Sequence, residues 1–129
     1  MTVRWAATSP TTGRFDASEQ SGLDSLRDRY SRLQARGQGY VEVRGVADYP
    51  VVTLGFKDGV AAIQAFRDDS TVIVLRSGAL LQTEVQIPVM DEPAVFSPEF
   101  TFPQDLAWSI LHEFIHTQDL SHLGEWCEL

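Results

Sequence analysis

Two different periods of apolar residues alternate along this chain, and the switches between them outline its elements. Val3-Arg4-Trp5-Ala6-Ala7 fits an opening strand, followed by a polar stretch of Thr, Ser, Pro and Gly through Gly13. From about Ser18 to Arg36 the period becomes helical, with Leu23, Leu26, Tyr30 and Leu33 recurring every three or four residues among charged and polar ones. Gly37 and Gly39 stop that helix, with Arg36 in its last turn. The arginines at 27, 29, 32 and 36 read as its solvated face.

The period then drops to two. Tyr40-Val41-Glu42-Val43-Arg44 alternates like a half-buried strand. Pro50 to Phe56 is rich in β-formers, and Lys57-Asp58-Gly59 supplies a turn before the run from Val60 to Phe66. Asp68-Asp69-Ser70 breaks again before Thr71 to Leu75, and Ser77-Gly78 breaks once more before Glu84 to Val89, where Pro88 suggests an edge or a strand end. Such short breaks favour antiparallel neighbours. The expectation is a single α+β domain over residues 1–129. It has an antiparallel β-meander of four to six strands, with an N-terminal and a C-terminal amphipathic helix packed on one face. The other face is left for solvent or a partner.

The closing helix lies within Pro103 to His122, with Pro103 suited to a first helical position and Thr101 to a cap. Leu106, Ala107, Trp108, Ile110, Leu111, Phe114 and Ile115 form its apolar sector, and Asp105, Ser109, His112, Glu113 and His116 the opposite one. His112-Glu113-Phe114-Ile115-His116 matches H-E-x-x-H, and His122 stands where the longer zinc-peptidase pattern places a third ligand. A catalytic zinc would use His112, His116 and His122 as ligands and Glu113 as base. Against it, Asp119 replaces the long pattern's glycine, and no methionine lies downstream to form a Met-turn. The histidine pair also sits mid-way along the polar face, the ordinary place for solvated side chains.

Composition narrows the class. With 129 residues, 43% hydrophobic and 22% charged, the chain is long enough for one packed core. A single cysteine, Cys127, allows no internal disulfide. The opening residues lack the blocks of a signal peptide, and no run is long and apolar enough for a membrane span, so the cytoplasm is the expected compartment. Net charge is −8, unevenly spread: residues 1–76 hold all ten Lys and Arg against nine acids, and residues 77–129 hold nine acids and no Lys or Arg. Such a surface disfavours nucleic acid and favours a basic protein partner.

Several short stretches, in order, carry a resemblance. They are the first amphipathic helix ending in glycine, Tyr49-Pro50-Val51-Val52-Thr53-Leu54-Gly55-Phe56 with Asp58-Gly59, and Ile87-Pro88-Val89-Met90-Asp91. Ala107-Trp108 and Gly124-Glu125-Trp126-Cys127-Glu128-Leu129 complete the set. Over roughly residues 20–129 the chain resembles the family-one (Imm one type) immunity proteins of bacterial polymorphic toxin systems. That resemblance implies a non-catalytic cytoplasmic inhibitor without cofactor, which binds a cognate toxin domain of the deaminase or nuclease kind and blocks its cleft. It transfers no catalytic or contact residues. From the charge, Asp91, Glu92 and Glu99 before the last helix, and Glu125, Trp126 and Glu128 at the tail, are the candidate partner-binding residues, with ordinary packing as the plainer role of Trp126.

Overall fold

The computed structural model describes residues 3–77 and 84–128. An eight-stranded antiparallel sheet forms its centre, two helices cover one face, and a separate two-stranded hairpin crosses the other. The strands are β1 (Arg4–Thr8), β2 (Phe15–Ser21), β3 (Gln38–Arg44), β4 (Val51–Lys57), β5 (Val60–Phe66), β6 (Val72–Arg76), β7 (Val85–Val89), β8 (Glu92–Phe96), β9 (Phe102–Pro103) and β10 (Glu125–Glu128). Across the sheet the order is β10-β6-β5-β4-β3-β1-β2, with the short β9 pairing beside β5 and β7–β8 standing apart. The run β3 to β6 is the expected meander. The expected count of four to six strands is exceeded because β1, β2, β9 and β10 extend that meander.

Alternation along the central strands feeds two cores. Val52, Leu54 and Phe56 of β4 and Ala61, Ile63 and Ala65 of β5 point to the helices, α1 (Leu23–Arg36) and α2 (Gln104–Thr117). Leu26, Tyr30 and Leu33 of α1, and Ala107, Leu111, Phe114 and Ile115 of α2, close that side. Leu106, placed in the apolar sector by its angle, lies at the sector's margin and is exposed. On the opposite face Ala62 and Val74 meet Ile87 and Phe96 from the hairpin. This overturns the expectation of a bare second face. Gly55 makes the approach possible: a β-carbon there would come 2.3 Å from the Pro88 carbonyl oxygen and 3.0 Å from Ile87 Cγ2. Val51 to Phe56 are consequently all buried.

Local chemistry explains the joints. Asp58 and Gly59 both adopt positive φ, the two-residue turn whose twist suits a β-hairpin, and Lys57 pairs with Val60 across it. Gly37 (φ 86°) ends α1 in the left-handed conformation and donates to Gln34 O. The first helix starts later than the pattern predicts, because residues 15–21 form the polar edge strand β2. Between Trp5 and Ala7 the pairing with β2 shifts from Gln20 to Asp16, a bulge that interrupts the exposed edge. Thr101 does not cap α2: its hydroxyl donates to Pro98 O, and Pro103, expected at the first helical position, is instead the cap residue before a helix that starts at Gln104. The break placed at Ser77-Gly78 falls partly outside the described residues.

Candidate functional site

Helix α2 rests its apolar sector on β4 and β5 and turns His112, Glu113 and His116 away from the core. Here the two helices face each other. Arg27 of α1 reaches across, and its Nη2 donates to Nε2 of His112 at 2.8 Å. An arginine can only donate, so Nε2 of His112 acts as the acceptor and the imidazole is neutral with its proton on Nδ1. Nε2 of His116 lies 3.4 Å from the same atom, and the two ring centres are 4.4 Å apart. Partial burial, then the neighbouring His116 and Arg27, hold the His112 pKa below its ordinary value.

His122 stands away from this pair. The helix ends at Thr117, and Gln118 takes a left-handed conformation (φ 58°) while donating to Phe114 O. Asp119 then accepts from Ser121 N at 2.9 Å, turning the chain. His122 is left with its nitrogens 3.9 Å from Glu113 Oε1 and 3.6 Å from Asp119 Oδ2. Glu113 is therefore aimed at His122 rather than held over a shared ion. Among the described residues, no three His, Cys, Asp or Glu side chains gather as metal ligands. The three histidines of the peptidase-type pattern are thus not brought together among the described residues.

Beside His112 the two helices enclose an open cavity of about 460 Å³. Its floor is the stacked pair Tyr30 and Trp108, with ring centres 4.3 Å apart and planes 15° from parallel. Arg27, Ser31, Asp105 and Ser109 add polar groups. The Tyr30 hydroxyl is buried, and although the Gln104 side chain approaches it, no hydrogen bond of ordinary geometry forms. Arg27 is exposed, as its place on a solvated helix face predicts, yet it also borders this cavity, which sequence reasoning missed. The available signal was spacing: Arg27 and Tyr30 share a face of α1, as Trp108 and His112 share one of α2.

The acidic candidates divide into two groups at opposite edges of the sheet. Asp91 and Glu92 lie on the β7–β8 hairpin rather than on a lead-in to α2, and Asp91 Oδ1 accepts from Phe15 N of edge strand β2 at 2.6 Å. Glu125 and Glu128 lie on β10, the other edge. Arg76 sits between Glu125 (3.3 Å) and Glu99 (3.7 Å), and Arg67 lies 3.9 Å from Glu128. All five acids are exposed. Trp126 faces inward: its indole N–H donates to Leu120 O at 3.0 Å and its ring packs on the main core. Packing that closes the tail is the role the structure shows for it.

The linear charge imbalance becomes a spatial one. Residues 1–44, which supply β1, β2, α1 and β3, carry seven arginines against five acids. Residues 45–129, which supply the rest, carry three basic residues against thirteen acids. No protein-family model matches the chain, and no curated protein matches it. None of the described helices is long and apolar enough to cross a membrane.

Proposed function

We propose that this protein is an immunity protein, which binds a cognate bacterial toxin domain in the cytoplasm and neutralises it without catalysing a reaction. The observation that carries the reading is the charge polarity of the sheet. At the β6–β10 edge, Glu99, Glu125 and Glu128 are exposed beside the turn bearing Asp68 and Asp69, and among the described residues only Arg67 and Arg76 oppose them. Half-exposed ion pairs of this kind hold little energy, about 0–1 kcal/mol each, so a partner's basic side chains can replace Arg67 and Arg76 cheaply. A toxin acting on nucleic acid needs a basic cleft to hold phosphates, and a preformed row of carboxylates complements it. The resemblance in sequence supplies the deaminase or nuclease kind of partner.

Co-expression with the toxin encoded by the adjacent gene tests this directly. Growth should be restored, and the two proteins should co-purify as a stoichiometric complex. Toxicity unrelieved, with no complex formed, would overturn the reading.

A further inference from the structure

The histidine pair of α2 has chemistry that partner binding leaves unused. We propose that His112 and His116 form a two-imidazole chelating site for a late first-row divalent cation such as Ni²⁺, Cu²⁺ or Zn²⁺, independent of His122 and Glu113 and gated by Arg27. Two imidazole nitrogens held about 2.0–2.1 Å from one ion lie about 2.8–3.0 Å from each other at a square angle and about 3.3–3.4 Å at a tetrahedral one. The observed Nε2 to Nε2 separation is 3.4 Å, so the two nitrogens already lie at the spacing that one tetrahedral ion requires. An i, i+4 pair on a regular helix gives this without cost to the backbone, and Leu111, Phe114 and Ile115 fix the helix on the sheet.

The tautomer also fits. Because Arg27 donates to Nε2 of His112, that nitrogen already carries the lone pair a ligand must have. The same contact makes Arg27 a competitor: its guanidinium occupies the position of the ion and repels it. An ion therefore binds only as Arg27 swings aside, its other coordination positions filled by water. Neutral nitrogen donors favour the late transition ions, and Mg²⁺ and Ca²⁺, which require oxygen ligands, are excluded.

Calorimetric titration of tag-free protein with NiCl2 tests the site. Uptake of one ion per chain is expected, with no heat from MgCl2 or CaCl2. His116→Ala should abolish binding, His122→Ala and Glu113→Gln should change it less than about twofold, and Arg27→Ala should tighten it by about tenfold, the worth of one charge-assisted hydrogen bond. Circular dichroism verifies that each exposed-face variant is folded. The electron paramagnetic resonance spectrum of the Cu²⁺-loaded protein should count two imidazole nitrogens. No Ni²⁺ uptake, uptake that survives His116→Ala, or uptake lost in His122→Ala or Glu113→Gln would each overturn the proposal, the last in favour of a larger ligand set.

Discussion

Tyr30 sits where both helices and the sheet meet, stacked on Trp108 and edge-on to Phe56 at 5.3 Å. Its ring contributes packing, while its hydroxyl is buried with no hydrogen-bond partner among the described residues. Removing only that oxygen should therefore cost nothing: Tyr30→Phe is expected to leave stability unchanged or raise it by up to about 1 kcal/mol in urea unfolding. Burial also pushes the Tyr30 pKa up to about 12, and burial followed by the nearby Glu42 carboxylate pushes Tyr40 up as well. Raised acid pKa values favour the protonated folded state, so their contribution is complete below the ordinary value of 10 and is lost as pH climbs from there toward 12. Ultraviolet titration should show Tyr30 and Tyr40 resisting ionisation at pH 10 until the protein unfolds. At this scale sequence reading was half successful. The outward direction of His112 and His116 was legible from helical angle, but Arg27 as their neighbour was not, since helix period says nothing about which second helix lies alongside.

Among the elements, the β7–β8 hairpin depends most on one residue. Gly55 leaves room for the Pro88 carbonyl, and a methyl group there would push the hairpin off β4. Gly55→Ala should destabilise by about 1–3 kcal/mol, the usual penalty for overpacking, and should increase binding of a hydrophobic dye as Ile87 and Phe96 lose their cover. On the helix side, Phe114→Ala should cost about 3–5 kcal/mol in the same unfolding assay. Strands β3 to β6 were legible because each alternates cleanly and joins the next by a short turn. Three others were not. In β2, Asp16 to Ser21 has polar residues on both sides and a bulge. The turn into β8 uses Met90 at φ 56°, a conformation methionine rarely marks. Strand β10 is four residues long and pairs Glu125 with Arg76, far back in the chain. Local pattern cannot report a partner that distant.

For the whole molecule, electrostatic orientation is the property that binding would exploit. Glu125→Lys with Glu128→Lys should slow association with the proposed toxin partner by about tenfold at low salt, while Asp91→Lys, at the far edge, should leave the rate nearly unchanged. Stopped-flow measurement across a salt series checks both, and equal effects from the two variants would place the contact elsewhere. The sign of the charge was legible in the sequence. Its separation into two edges was not, because that depends on β10 returning to β6 and on Asp91 being carried across the second face.

Strand β4 is shielded by helices on one side, a hairpin on the other and paired strands along both margins. Its amide protons can reach deuterated solvent only when that whole surround opens together. The isotope should accordingly enter β2 and β10 first and β4 last, at a rate set by global unfolding.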